Sequence, residues 1–325
     1  MPSLLDPLKV KELRLKNRIV MPPMNTEYAT AKGAVTEKLI EHYAKRSKNL
    51  GLLITEHSYI SKDGKLTKRQ FGMYSDSLIP GLKQLTTRIH RTRTPVIAQI
   101  NHAGARCTKE VTGTKPVSPS ATKGARKLKI KEINAITESF AEAAERAIKA
   151  GFDGIEIHGA HNFLLNQFYS PLTNKRNDRY GGSLEKRMKF PLEVTETIKK
   201  TIGEKPLLYR IGADDMDPKG TTVEDSQKFA VKLQEAGVDI IDISGGISGS
   251  RPESLQKTQG FFIPQAEQIK KVLHVPVIGV GGITQPEYAN KIVQEGRVDL
   301  VAVGRALLKD PDWATKAIKT IKRAK

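Results

Sequence analysis

The sequence predicts an α/β protein folded as one closed (β/α)8 barrel, a TIM barrel, and three observations carry that prediction. Eight short apolar runs recur along the chain, segments with helical spacing lie between them, and most runs are nearly continuously apolar rather than alternating. A continuously apolar strand has both faces buried, as in a parallel sheet covered by helices. Eight strand-helix units are the number that closes such a sheet on itself.

In chain order the predicted strands are Arg18 to Pro22, Gly51 to Thr55, Pro95 to Ile100, Asp153 to His158, Pro206 to Ile211, Asp239 to Ser244, Val275 to Val280 and Asp299 to Gly304. Three of them are entered through one device, seen in Ala150-Gly-Phe-Asp153, Ala236-Gly-Val-Asp239 and Glu295-Gly-Arg-Val-Asp299, where glycine stops a helix and a strand begins. Helical spacing is clearest from Thr137 to Ala150, with Phe140, Ala144, Ala147 and Ile148 on one face, and from Thr222 to Ala236, with Phe229, Ala230 and Leu233. A doubly wound open sheet is the competing architecture. Its dinucleotide fingerprint needs G-x-G-x-x-G after an early strand, whereas Gly279-Val-Gly281-Gly282-Ile-Thr284 comes late and lacks the third glycine. No linker or low-complexity stretch divides the chain, so residues 1–325 read as a single domain.

Of the 325 residues, 54 are Lys or Arg and 35 are Asp or Glu, a formal net charge of +19. Aromatic residues make up only 6%, and the basic residues form no dense block, so a nucleic-acid partner is not expected. A phosphate-bearing small ligand suits the charge better, and the field would steer anionic nucleotides inward. No apolar run approaches the roughly 18 residues that cross a bilayer. The N-terminus lacks a secretory signal pattern, which points to the cytoplasm. Cys107 is the only cysteine, excluding intrachain disulfides, multi-cysteine zinc sites and any iron–sulfur cluster held by the chain's own thiolates.

Barrels of this kind commonly bind phosphate at the loops after strands 7 and 8. Here those loops offer Gly281 and Gly282, whose backbone N–H groups are open to close approach, and Gly304 with the fork-shaped cation of Arg305. Tight turns alone would also explain the glycines. Upstream strands end in Asn25, Gln99, His158 and Arg210, polar groups directed to the same mouth. That set has the chemistry of a flavin site: an amide pairs with the pyrimidine edge, and a guanidinium stabilises charge at N1/O2 after reduction.

With these residues in place, the chain resembles the Old Yellow Enzyme family, the NADH:flavin oxidoreductases. The resemblance rests on Asn17-Arg-Ile-Val-Met-Pro-Pro-Met24, on Ala98-Gln-Ile-Asn-His-Ala-Gly104, and on Glu156-Ile-His-Gly-Ala-His161 continuing through Ser170-Pro-Leu-Thr173 to Arg179-Tyr-Gly-Gly-Ser183. It implies a barrel that holds FMN without a covalent bond, takes hydride from NADH or NADPH, and passes it to an activated alkene or quinone-like small-molecule acceptor. By the same likeness Pro23, Met24, Gln99 and Arg210 line the isoalloxazine, Gly281, Gly282, Gly304 and Arg305 hold the phosphate, and His158 and His161 hold the acceptor. As a metal motif His-x-x-His is weak here, because it follows a strand with no helix to place both rings on one face, and no metal is expected.

The chain departs from the family pattern at several positions. Many relatives carry a tyrosine two residues after the second histidine as proton donor, and this chain has Phe163, which leaves Tyr28, Tyr169 or water for that task. Asn25 replaces a frequent Cys, Thr or His, and His57 stands where a small residue is common, so both are counted with the flavin-facing set. Relatives that carry an iron–sulfur site add further domains after the barrel, whereas this barrel is expected to act alone on electrons from a nicotinamide. Two other readings compete: a tRNA-dihydrouridine-synthase-like flavoenzyme, which would need Cys107 as its catalytic thiol, and a flavin-binding protein of little activity, supported by Phe163. The sequence leaves self-association into a homo-oligomer open.

Overall fold

The structure, a computed structural model, describes residues 1–255 and 258–323. Eight parallel strands form its centre: β1 (Ile19–Met21), β2 (Leu52–Ile54), β3 (Val96–Asn101), β4 (Gly154–Gly159), β5 (Leu207–Gly212), β6 (Ile240–Ser244), β7 (Val277–Gly279) and β8 (Leu300–Ala302). Each pairs with its sequence neighbour, and β8 pairs with β1 through Val301 opposite Ile19, so the sheet closes. Every strand falls on a predicted run, and β3, β4 and β5 continue one residue past it, to Asn101, Gly159 and Gly212.

One main helix follows each strand on the outside: α1 (Glu37–Arg46), α2 (Ile79–His90), α3 (Ile130–Lys149), α4 (Leu184–Ile202), α5 (Val223–Glu235), α6 (Ile263–Lys270), α7 (Pro286–Gln294) and α8 (Trp313–Arg323). The helix expected from Thr137 starts seven residues earlier, at Ile130, because the Glu132 carboxylate accepts the Lys129 N–H at 2.8 Å and secures a first turn that the apolar spacing alone does not mark.

Alternation along the strands separates two cores. Residues such as Ile19, Leu53, Ala98, Ile155, Tyr209 and Ile241 point outward under the helices. Val20, Leu52, Ile54, Ile97, Leu208, Ile240, Ile278 and Leu300 point into the barrel, where Val10, Leu13 and Leu15 of an N-terminal hairpin plug its base. Lys11 on that hairpin pairs with Asp239, the residue before β6, at 3.0 Å.

The glycine device has a second half. Gly151, Gly237 and Gly296 all take the left-handed conformation that ends a helix, with φ of 87°, 94° and 71°. The aspartate after each then accepts the N–H that opens the preceding strand: Asp153 from Val96 at 2.7 Å, Asp239 from Leu207 at 2.9 Å and Asp299 from Val277 at 2.9 Å. Each aspartate thus satisfies a donor at the base of the barrel that the ladder leaves over. Above the apolar floor, toward the strand C-termini, the interior turns polar at Gln99, Glu156, His158, Arg210 and Asp242, all buried.

Candidate active site

A cavity of about 650 Å³ opens at the C-terminal ends of the strands. Pro23, Met24, Asn25, His57, Gln99, His158, His161, Arg210, Gly281, Gly282, Gly304 and Arg305 line it, so twelve of the sequence-derived site residues converge on one place. Among the described lining residues are four arginines and neither Asp nor Glu. The site is therefore cationic.

At the β7 and β8 end the backbone leaves room that side chains would fill. Gly281 has φ 132°, and a Cβ there would sit 2.6 Å from the Phe261 backbone nitrogen. Gly282 has φ 64°, and a Cβ there would come within 2.9 Å of an Arg305 guanidinium nitrogen. Only glycine keeps amides and cation together in this cradle, which suits a phosphate.

Across the cavity, His158 is the penultimate residue of β4, and the chain then turns sharply through His161 and Asn162, both left-handed at φ 56° and 60°. The turn is held by the His161 N–H donating to the Gly245 carbonyl at 3.1 Å and the Asn162 N–H donating to Asn166 Oδ1 at 2.8 Å. His161 Nε2 lies 2.6 Å from Ser244 Oγ, and the His158 and His161 rings meet edge-on with centroids 5.0 Å apart. His158 Nδ1 is buried without a partner among the described residues. His57 completes a group of three imidazoles, 6.2 Å from His158, and accepts at Nδ1 from the Gln70 amide at 2.9 Å, which places its proton on Nε2. Burial above all, then the charges of Arg106 and Arg210, lowers the pKa of His57 to about 4. Burial likewise pushes His158 and His161 well below the ordinary histidine value, so all three rings are neutral near pH 7.

Below the imidazoles, neighbouring strands carry a buried polar chain. Gln99 donates to Glu156 Oε2 at 2.7 Å, and Arg210 Nε lies 3.2 Å from Asp242 Oδ2. Burial raises both carboxyls, and the charge of Asp242 raises Glu156 further, so the pair retains a proton while compensating Arg210. Gln99 Oε1 remains buried and unpartnered. An orphaned acceptor beside a guanidinium fits a heterocycle edge that offers an N–H and gathers negative charge. Together with the glycine cradle, this donor set fits FMN.

Two sequence-derived candidates lie elsewhere. Tyr169 is fully buried in the outer core, its ring 4.6 Å from Phe229 and its hydroxyl 3.2 Å from Ser226 Oγ, because the short helix Leu164–Tyr169 turns it toward α5. Tyr28 packs edge-on against His42 at 5.6 Å, with the Lys38 ammonium 4.0 Å above its ring, and does not line the cavity. Nearness in sequence did not determine their direction. Cys107 is also outside the cavity: its thiol donates to the Asp63 carbonyl at 3.2 Å, and burial pushes its pKa up to about 12. Phe163 does line the cavity, its ring tilted 42° to that of His158 with centroids 4.4 Å apart.

The structure adds residues that sequence reasoning missed. Ser244 anchors His161, and its signal was its place at the end of β6. Arg106, two residues past the Asn-His-Ala-Gly motif, lies over Phe163 at 4.7 Å and donates to the His161 carbonyl at 2.9 Å.

Known proteins resemble the chain over nearly its whole length. The sequence profile of the NADH:flavin oxidoreductase / NADH oxidase family matches residues 3–324. An NADH oxidase of Thermoanaerobacter brockii is 43% identical over 97% of this chain, which spans 50% of that protein. An NADPH dehydrogenase of Geobacillus sp. (strain WCH70) is 36% identical over 98% of this chain and 94% of that protein. The solved structure of an old yellow enzyme homologue from Zymomonas mobilis superposes with a TM-score of 0.87 at 28% identity, covering 98% of this chain and 93% of the other. Barrel, cavity and sequence agree, and the chain belongs to the NADH:flavin oxidoreductase / NADH oxidase family, whose cofactor is FMN.

Proposed function

We propose that residues 1–325 form one FMN-binding barrel domain that takes hydride from NADH or NADPH and delivers it to an activated alkene or quinone-like acceptor. One observation carries the reading: a glycine-arginine phosphate cradle and a neutral imidazole pair face each other across a single cavity. The relatives' names, an NADH oxidase and an NADPH dehydrogenase, support the nicotinamide as reductant.

FMN, when bound, supplies the hydride exchange between nicotinamide and acceptor. The chain's residues hold and orient the partners. Gly281, Gly282, Gly304 and Arg305 hold the phosphate, while Pro23, Met24, Asn25, His57, Gln99 and Arg210 line the ring system. His158 and His161 give N–H groups to the acceptor's carbonyl oxygen, where negative charge grows as the β-carbon is reduced. Neutral rings suit that task, because they bind an uncharged carbonyl without demanding an anion in the ground state. The described lining contains no Tyr, Lys, Cys, Asp or Glu, so the α-carbon takes its proton from water entering the open mouth.

The purified protein should be yellow and should bleach anaerobically with NADH or NADPH; a protein that neither carries nor accepts FMN would remove the reading. His158→Ala should lower enone kcat/KM by about 100-fold, the scale of a lost transition-state donor, with FMN still bound. Enone kinetics unchanged in that variant would take His158 out of the mechanism.

A further inference from the structure

We propose that Arg106 is a specificity-determining residue for acceptors that carry an anionic group, a carboxylate in particular, beside the carbonyl that the imidazoles hold. The inference rests on the function proposed above and names the substrate class of the same site.

Four arginines line the cavity: the flavin reading assigns Arg305 to the phosphate and Arg210 to the ring edge, and Arg251 has an interaction of its own, which leaves Arg106. Arg210 also has Asp242 within ion-pair distance. Arg106 has no carboxylate within that distance among the described residues. Its guanidinium is nevertheless held at two points, over the face of Phe163 at 4.7 Å and through Nη1 to the His161 carbonyl at 2.9 Å. A cation fixed in this way, with donors left over and no acidic neighbour in the lining, is preorganised for an anion from outside the chain. The neutral imidazoles do not compete for it.

The spacing suits an aromatic or conjugated acceptor. Phe163 lies 4.4 Å from His158 and 4.7 Å from the Arg106 guanidinium carbon, so the carbonyl-binding and anion-binding groups are separated by no more than these two steps laid end to end. One ligand with a carbonyl at one end and a carboxylate about a ring away reaches both. The pyrophosphate of NAD(P)H is the other source of negative charge that could engage Arg106, and it acts in a separate half-reaction.

The test uses the FMN-loaded protein with cinnamaldehyde and its 2-, 3- and 4-carboxy derivatives, in wild type, Arg106→Gln and Arg106→Lys. The expected result is that wild type prefers at least one carboxylated isomer. Arg106→Gln should lower the ratio of its kcat/KM to that of cinnamaldehyde by about tenfold, the scale of one charge-assisted hydrogen bond, and Arg106→Lys should recover much of the ratio. Because His161 leans on Arg106, a common loss on both acceptors is discounted by reading the ratio. An unchanged ratio in Arg106→Gln overturns the proposal, as does a loss seen only in anaerobic reduction by NADPH, which would give Arg106 to the nucleotide. If the wild-type protein reduces none of these alkenes, the alkene acceptor of the function proposed above fails. Arg106 is then read by the flavin absorbance change on titration with 4-formylbenzoate and benzaldehyde, where the same ratio of affinities supports or overturns the inference.

Discussion

Among single residues, the pair Glu156 and Asp242 has the largest consequence for the site, because two carboxyls and one guanidinium are buried together. With one proton between them the pair carries one negative charge against Arg210, and either carboxyl can take that charge. Glu156→Gln or Asp242→Asn alone should therefore be tolerated, since the remaining carboxylate still answers Arg210. The double variant leaves a buried cation uncompensated and should cost about 3–5 kcal/mol in urea unfolding. The flavin midpoint potential should also rise in the double variant, as the unanswered charge favours reduced flavin. Strictly additive single and double effects would show that the two carboxyls do not share the charge. Phe163→Tyr addresses the missing proton donor: with the ring already 4.4 Å from His158, an added hydroxyl should raise kcat for enones and make its pH profile less dependent on solvent acid. No gain in kcat would mean that proton delivery does not limit the reaction. The residues of this site were largely legible in the sequence, because a strand's C-terminal end places its last inward residue at the mouth whatever the loop does. Gln99, His158 and Arg210 follow that rule. Tyr28, Tyr169, Arg106 and Phe163 lie beyond strand ends, where only tertiary packing decides which way a side chain turns.

The elements show why the eight strands could be found and what was hidden. Each barrel strand is buried on both faces, and this marks it in the sequence even where only three residues pair. The N-terminal hairpin has the alternating pattern of a half-buried ribbon, its arms are three residues long, and its burial comes from plugging a barrel that the local sequence does not describe. The aspartate that follows each left-handed glycine was visible, but its role depends on a strand about 20 to 60 residues upstream. Asp239 joins three elements: it accepts from Leu207 at the start of β5, precedes β6, and pairs with Lys11 on the hairpin. Asp239→Ala would leave the Leu207 N–H buried without its side-chain acceptor and release the plug, so unfolding stability should fall by about 1–3 kcal/mol. Urea unfolding measures this. A variant as stable as wild type would mean that water replaces the carboxylate at the barrel floor.

For the molecule as a whole, burial of titratable groups near the mouth links stability to pH in two opposing directions. His42 and His57, both lowered to about 4, and His158 and His161, lowered well below the ordinary value, bind fewer protons folded than unfolded. Their contribution is complete above the unfolded histidine pKa of about 6.5 and is lost as pH falls toward 4. Glu56 acts the other way. It is fully buried beside the loop that follows β1, accepts from Thr26 Oγ1 at 2.7 Å and from the Tyr43 hydroxyl at 3.3 Å, and burial still raises its pKa to about 7. The folded state binds its proton more tightly than the unfolded chain, so its contribution is complete below the unfolded value of about 4.3 and is lost as pH rises through 7. Glu56→Gln, which fixes the uncharged form, should therefore gain on wild type by about 3 kcal/mol between pH 5 and pH 8, at about 1.4 kcal/mol for each pH unit of the shift. Urea midpoints of the two proteins at pH 5, 6.5 and 8 decide it: the difference must grow with pH, and a constant offset would mean that Glu56 ionises in the folded protein as readily as in the unfolded chain. Glu156 and Asp242, raised by the same burial, act with Glu56, and the four histidines still outnumber these three carboxyls below pH 6.5, so both proteins should weaken in acid, where protonation of the imidazole cluster adds positive charge to a cavity already lined by four arginines.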